Sequence, residues 1–450
     1  MANARTAPSD WVWKLARGAV RTFYRIERVG EPLPGGPLLL VANHPNTLVD
    51  PALIQATAGC SIRFLAKSTL FAGHPLSWLI RGSGAIPVYR RMDPGVDTSR
   101  NVEMFAAVEA AFAAGEAVCL FPEGISHSEG RLEPLRTGAA RMVLSSGASG
   151  HSVTIVPVGL NFEHVARFRS RVTVVFGRPF GADDLAAAYA DDRQAAVREL
   201  TDRIERRLRR LMIEAEPRQD LPLVMRIDHL YTTARGVSRA PRERIVRRRV
   251  IAAGMVQLRE RAPERLADIA ATVGEYDASL ARFGLRDHDI DRRIPFAEAA
   301  RFAVREGLLA LVLLPVTLLS LAFFAVPYQL TGLVASRTPD FKSRAIWAVC
   351  AGSVAHGAWA GAIGVLVAWR TGAAGGLLAV AGVVALAFGG VAAFERERAV
   401  VRTVRAFFAL RQTPLGARAR LRRQRAALAD VLDQVHKWLQ AEAAIPPRRG

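Results

Sequence analysis

The chain has 450 residues, 61 Lys and Arg against 41 Asp and Glu, a net charge of +20, and a hydrophobic half. That length holds two or three ordinary domains, and the apolar content excludes intrinsic disorder, which pairs high charge with few apolar residues. Cys60, Cys119 and Cys350 lie too far apart for a disulfide scaffold and suit a reducing compartment, while the basic balance points to an acidic partner, nucleic acid or an anionic membrane surface.

Residues 1–8 contain a single cation, Arg5, and no unbroken apolar run precedes Lys14, so no secretory signal is expected. The segment 9–27, SDWVWKLARGAVRTFYRIE, predicts an amphipathic helix capped by Ser9 or Asp10. Trp11, Trp13, Phe23 and Tyr24 suit a membrane–water boundary, and docking on the next domain is an equal reading. This helix and its lead-in form a first region, 1–36.

Between 37 and 215, short β-rich runs at 37–43, 61–66, 85–89, 117–121, 154–160 and 171–176 alternate with helical stretches, clearest at 101–115 and 137–146. Such alternation predicts an α/β domain, a mixed sheet flanked by helices, with sites gathered at the carboxyl ends of strands. Residues 216–303 read as helical and Arg-rich. Three runs free of Asp, Glu, Lys and Arg, 307–329, 345–369 and 371–394, place membrane segments within 304–394. Each run matches the roughly 20 helical residues that cross a hydrocarbon core. The tail, 395–450, carries thirteen basic and five acidic residues and predicts a basic helix. A solvated face is the plain reading of such a run, and anionic head groups are the other.

Three full crossings would put the two ends on opposite sides, whereas the positive-inside rule favours both on the cytoplasmic face. Only Arg370 separates the second run from the third, and Pro315 and Pro327 interrupt the first. The expected arrangement is a re-entrant or in-plane first segment followed by a two-helix hairpin, in an integral membrane protein.

The sharpest chemical signal is VANHPNTLVDP, 41–51, where a β-rich run ends at His44 and Asp50 follows before a helix. Imidazole suits general-base work near neutral pH, and a carboxylate behind it fixes its tautomer. A helix-capping histidine and a turn aspartate explain the pair equally well. GSGAIPVYRR, 82–91, ends a strand in Arg90 and Arg91. FPEGISHSEGRLEPLRTGAARM, 121–142, gathers Glu123, Gly124, Ser126, His127, Ser128 and Arg136 in a loop before a helix. Such a loop is a plausible anion cradle, and arginine holds phosphate in a bidentate fork. His127 lacks a carboxylate at fixed spacing and reads as a loop residue. Lys67 is one of only four lysines, with Lys14, Lys342 and Lys437; it reads either as a compact charge for phosphate or as chance retention.

These segments together resemble the glycerolipid acyltransferases of phospholipid biosynthesis, the 1-acylglycerol-3-phosphate acyltransferase-like group. Four ordered blocks carry the resemblance, over roughly 20–215: NHPNTLVD with His44 and Asp50, GAIPVYR from Gly84 to Arg90, FPEG from Phe121 to Gly124, and IVPVG from Ile155 to Gly159. The family's commonest motif has four residues between His and Asp, and HPNTLVD has five. The longer form resembles the branch of glycerol-3-phosphate and dihydroxyacetone-phosphate acyltransferases. The resemblance implies that His44 takes the proton from a glycerol hydroxyl as it attacks an acyl thioester, and that Asp50 holds His44. It implies that Arg90, Glu123 and Gly124 help bind the acceptor's phosphate end, and that Pro157 shapes the acyl site. A charged Glu123 would repel phosphate, so it is expected to orient arginine or backbone donors instead.

The resulting expectation is an O-acyltransferase that uses acyl-CoA or acyl carrier protein as donor and a phosphate-bearing glycerol as acceptor. Glycerol-3-phosphate, dihydroxyacetone phosphate and 1-acylglycerol-3-phosphate are the candidates. Its substrate-binding set is Arg90, Glu123, Gly124, Arg136, Lys67 and Pro157. No cofactor or metal is expected. Alternatives are another lysolipid or alcohol as acceptor, or a non-catalytic lipid-binding scaffold. No nucleic-acid-binding pattern accompanies the charge.

Overall fold

The computed structural model describes residues 9–71, 77–90, 93, 96–126, 130–291, 296–337 and 341–444; Arg91, His127 and Ser128 lie outside them. The chain divides into two compact units, the first made of residues 1–221, 240–249 and 339–349, the second of the rest.

The first unit runs α1 (Asp10–Phe23), β1 (Tyr24–Val29), β2 (Leu38–Ala42), α2 (Val49–Ala58), β3 (Ile62–Lys67), α3 (Ser77–Gly82), β4 (Ile86–Val88), α4 (Asn101–Ala113), β5 (Ala117–Leu120), α5 (Gly138–Ala148), β6 (Thr154–Phe162), β7 (Ser170–Phe176), α6 (Ala186–Asp191) and α7 (Arg193–Arg209). All six expected strands are present, in a seven-stranded sheet of order β1-β7-β6-β2-β5-β3-β4. The added strand is β1. The helix expected over 9–27 stops at Phe23, because YRIERV pairs in parallel with β7, Tyr24 opposite Ser170 through Val29 opposite Val175. Alternation of outward charge and inward Tyr24 and Ile26 suits a strand once a partner is available.

Every neighbouring pair is parallel except β6 and β7. Parallel sheets are covered on both faces, so β2 reads LLLVA without a polar residue and is wholly buried. Its side chains alternate between two cores. Leu38, Leu40 and Ala42 join Val20, Leu53 and Ile54 on the α1–α2 side. Leu39 and Val41 join Val108, Phe112, Met142, Leu200 and Ile204 on the α4–α5–α7 side. The central strand therefore delivers His44 to the sheet's carboxyl edge from a fixed base.

The second unit is helical. It holds α8 (Leu221–Arg235), the later turns of α9 (Pro241–Arg261), α10 (Pro263–Arg282), α11 (Phe296–Phe323), α12 (Ala325–Ser336), most of α13 (Phe341–Thr371), α14 (Ala373–Gln412) and α15 (Leu415–Ala444). Among the described residues, three stretches are long and apolar enough to cross a membrane, 304–323, 347–371 and the helix 373–412, whose most apolar 18-residue windows have mean hydropathies of 2.1, 1.4 and 2.4.

The first apolar run is two helices. It breaks at Phe324, and Pro327 falls in the first turn of α12, where its missing N–H costs nothing. Phe324 stacks on His356 at 5.6 Å, while Thr331, seven residues on, lies against Gly352. Contacts that move backward along α13 as α12 advances make the two antiparallel. α13 and α14 form a hairpin through Gly372, whose φ of 82° favours glycine. Against α11, Gly390 of α14 meets Ser320, and Glu306 pairs with Arg396 at 3.0 Å. The apolar part of α14 continues into its charged part as one helix, so the boundary expected at 394 is chemical and not a break in the backbone.

Candidate active site

His44 follows β2 by two residues, and Asp50 opens α2. His44 Nδ1 lies 2.9 Å from Asp50 Oδ2, which also accepts the Asn46 backbone N–H at 2.7 Å. Asp50 is fully buried, and its Oδ1 accepts no hydrogen bond among the described residues. Burial pushes the Asp50 carboxyl above the usual carboxylate range, opposed by its bond to His44 and the Asn46 N–H. The five-residue spacing is accommodated by Thr47, whose φ of +40° turns the loop so that α2 starts with Asp50 facing back. Ser126 pins this turn: its hydroxyl donates to the His44 carbonyl at 3.0 Å and accepts the Thr47 N–H at 3.1 Å.

The imidazole stacks on Phe121 at 3.9 Å between ring centres and is 19% exposed, leaving Nε2 as the nitrogen not engaged by Asp50. Behind the loop, Asn46 Nδ2 donates to the Tyr24 hydroxyl at 2.9 Å, and that hydroxyl donates to the Val165 carbonyl. Burial raises the Tyr24 phenol, which keeps it a neutral donor. Asn43 bonds Leu160 with both amide groups, 2.7 and 3.1 Å, and so ties the end of β2 to β6.

Glu123 is 3% exposed and takes two backbone N–H groups, His44 at 2.9 Å through Oε1 and Glu133 at 3.0 Å through Oε2. Its carboxylate thus joins the two loops that the sequence separates by 79 residues. Gly124, φ +73°, presents its carbonyl to the Arg90 guanidinium. Arg90 Nε also meets Asp93 at 3.3 Å, and Lys67 Nζ reaches the other oxygen of Asp93 at 3.0 Å. Arg136 is exposed and lays its side chain over Gly124. Five expected residues, Lys67, Arg90, Glu123, Gly124 and Arg136, therefore lie in one chain of contacts leading from His44.

Pro157 stands elsewhere. It is packed within β6 opposite Val41, and its carbonyl accepts the Gly177 N–H at 2.8 Å. The open pocket beside His44 is lined instead by Leu160, Phe162, Val165, Met212 and Ile213, among others. Sequence reasoning missed Asp93, which lies two residues past the strand-end arginines and carries its own signal as an acid among cations. It also missed Asn46 and Tyr24, whose roles depend on β1 being a strand. Among the described residues, no group of three His, Cys, Asp or Glu side chains is placed to hold a metal ion.

Residues 23–161, from the start of β1 to the end of β6, match the family model described as Acyltransferase. The chain carries an acyltransferase-family domain. Over 194 residues, 41% of this chain, it is 32% identical to glycerol-3-phosphate O-acyltransferase 1 of Saccharomyces cerevisiae, of which that stretch is 25%. Over 144 residues, 31% of this chain, it is 28% identical to a chloroplastic 1-acyl-sn-glycerol-3-phosphate acyltransferase of Brassica napus, covering 40% of that protein. The chain thus spans about a quarter of the yeast relative's length and two fifths of the plant relative's. The crystal structure of the 1-acyl-sn-glycerophosphate acyltransferase of Thermotoga maritima aligns over 43% of this chain and 76% of that one, at 16% identity and a TM-score of 0.31. In this acyltransferase domain the matched residues include the whole His44–Asp50 loop, the Lys67–Asp93–Arg90 bridge and Glu123.

Proposed function

We propose that the protein is a membrane-bound O-acyltransferase that moves a fatty acyl group from an acyl thioester, acyl-CoA or acyl carrier protein, to a glycerol-phosphate-type acceptor. The observation that carries this reading is the His44–Asp50 contact of 2.9 Å at a strand end within an acyltransferase-family domain. With Nδ1–H held by Asp50, Nε2 is the basic nitrogen and takes the proton of the acceptor hydroxyl. The oxygen attacks the thioester carbonyl, the C–O bond forms, and the C–S bond breaks as the tetrahedral intermediate collapses. The imidazolium returns its proton to the leaving thiolate. Asp50 stabilises that imidazolium and fixes its ring, and general-base assistance of this kind is worth about 10² to 10⁴ in rate.

Lys67, Arg90 and Arg136 supply positive charge along one side of the site, with Asp93 bridging the first two. That surplus supports an acceptor bearing a phosphate, as does the likeness to yeast glycerol-3-phosphate O-acyltransferase 1. Glu123, which accepts two backbone N–H groups, orders the cradle. Glycerol-3-phosphate, dihydroxyacetone phosphate and 1-acylglycerol-3-phosphate all satisfy this chemistry.

For the membrane part, α11 runs antiparallel to α14, α14 to α13 and α13 to α12, so α12 turns back relative to α11, which supports a re-entrant first segment. Glu306 and Arg396 sit at the same level on α11 and α14, so the chain enters and leaves on one face. An excess of arginine beyond residue 394 favours the cytoplasmic side for that face.

The test is turnover of labelled acyl-CoA by the purified full chain against a panel of the three acceptors, for wild type and His44→Ala. The variant is expected to lose acyl transfer by at least 10²-fold while staying membrane-bound. Wild-type turnover in His44→Ala sinks the mechanism, and no turnover of any of the three acceptors by wild type sinks the substrate class.

A further inference from the structure

A second basic site lies at the other end of α1 from its exposed tryptophan. Arg21, Arg25, Arg28 and Arg169 line one cavity, floored by Ala56 and Thr57 at the end of α2. The bonds of two of these side chains go to backbone carbonyls. Arg21 donates to Ala56 at 3.4 Å, and Arg28 donates to Thr57 at 3.0 Å, to Glu31 at 2.5 Å and to Gly30. A carbonyl accepts a hydrogen bond without cancelling the donor's charge, so Arg21 and Arg28 keep their charge at the cavity. Glu27 does not neutralise Arg28: adjacent strand residues point to opposite faces, and Glu27 is engaged by Arg171 at 3.1 Å and by Arg244.

Arg169 adds an independent observation. Its φ is +58°, a conformation that side chains other than glycine adopt at a cost. It is held there by its N–H, 2.6 Å from the Phe23 carbonyl, and its guanidinium reaches the Arg21 carbonyl at 3.3 Å. The turn between β6 and β7 thus sets Arg169 beside Arg21 at the cavity.

α1 says which anion. Lys14, Arg17 and Arg21 recur at three- and four-residue intervals along its exposed side and end at the cavity. Beside that row, Trp11 and Leu15 are half exposed, and Trp11 stacks on the equally exposed Trp78 at 5.7 Å. A helix with an aromatic stripe next to a row of cations lies in a membrane interface, with the cations at head-group depth.

We infer that the Arg21–Arg28–Arg169 cavity binds the phosphate of an anionic membrane lipid whose acyl chains lie beside α1, as a site separate from the one around His44. The inference does not depend on acyl transfer. The double variant Arg21→Gln/Arg169→Gly removes two charges, and glycine accepts the backbone at position 169 without strain.

The full chain in uncharged detergent is titrated calorimetrically with dihexanoyl phosphatidylglycerol, dihexanoyl phosphatidylcholine and inorganic phosphate. Phosphatidylglycerol is expected to bind wild type at least tenfold more tightly than phosphatidylcholine or phosphate. At about 1 kcal/mol per arginine, the double variant weakens it roughly 30-fold and Arg21→Gln alone roughly fivefold. Arg90→Gln, in the other site, leaves it unchanged. Wild-type affinity in the double variant overturns the site. Loss of binding in Arg90→Gln assigns the lipid to the His44 region instead and refutes the proposal. Equal binding of phosphatidylcholine refutes recognition of the anionic head group, and equal binding of inorganic phosphate refutes a lipid as its source. Should the double variant melt well below wild type, Arg21→Gln decides alone, since it gives up a single long bond of 3.4 Å to Ala56.

Discussion

Replacing Asp50 by asparagine separates what this carboxylate does for chemistry from what it does for the fold. In the native chain Oδ2 accepts from His44 and from the Asn46 N–H, while Oδ1 is buried without a described partner. Both bonds use Oδ2, so an asparagine at 50 keeps them with its carbonyl in that place and puts its amide where Oδ1 lies. His44 then keeps its proton on Nδ1 and its basic Nε2, but a neutral amide no longer stabilises the imidazolium formed as the proton is taken. A fall in kcat of about 10² to 10³, within the range of general-base assistance, is expected. At about 1.4 kcal/mol per decade, that is roughly 3 to 4 kcal/mol on the barrier.

Stability should move the other way. Burial raises the Asp50 carboxyl, so the native chain holds this proton to higher pH than the unfolded chain does. The stability contributed by the protonated form is complete below the unfolded value and is lost as pH rises through the folded one. At neutral pH the charged group is therefore a cost, and a neutral amide removes it. Asp50→Asn is expected to melt at or above the wild-type temperature at pH 8, with the gap closing as pH falls toward the ordinary carboxylate range. Turnover at saturating acyl-CoA and thermal melts at pH 5 and 8 check both halves. A kcat within tenfold of wild type would refute the role of the Asp50 charge in stabilising the His44 imidazolium. A melt lower by about 3 °C or more at pH 8, roughly 1 kcal/mol, would refute the burial argument.

Glu123→Gln turns one of two acceptors into a donor aimed at a backbone N–H, so it is expected to cost about 1–3 kcal/mol of stability and to lower kcat by loosening His44. An unchanged melt would show that the two N–H bonds are not what holds these loops. For the membrane part, protease digestion of sealed vesicles is expected to reach residues near 200 and residues 415–444 from the same side. Cleavage from opposite sides would rule out the re-entrant course of α11 and α12.

Much of the domain was legible locally. Six short β-rich runs announced six strands because central parallel strands must be apolar throughout, as LLLVA is. β1 was not legible: YRIERV follows a helix without a breaker and becomes a strand only because β7 offers a partner edge. The His44–Asp50 pairing rested on whether a five-residue spacing allowed contact, and the answer lay in the left-handed Thr47, a conformation no sequence pattern demands of threonine. From sequence, chance retention was the favoured reading of Lys67 over a phosphate contact. Its bridge to Arg90 through Asp93 joins the end of β3 to the residues that follow β4.

Net charge and hydropathy, a basic chain with an apolar half, are settled by sequence alone, because they are sums over residues. Residue order adds that long apolar runs are present, that arginine follows them, and that a histidine and an aspartate follow a β-rich run. Tertiary structure decides the rest. It turns Glu123 toward two backbone donors, walls the pocket with Leu160 and Phe162 instead of Pro157, and splits the first apolar run at Phe324. Each of these depends on which distant backbone group or side chain arrives alongside, and that is fixed by packing, not by local preference.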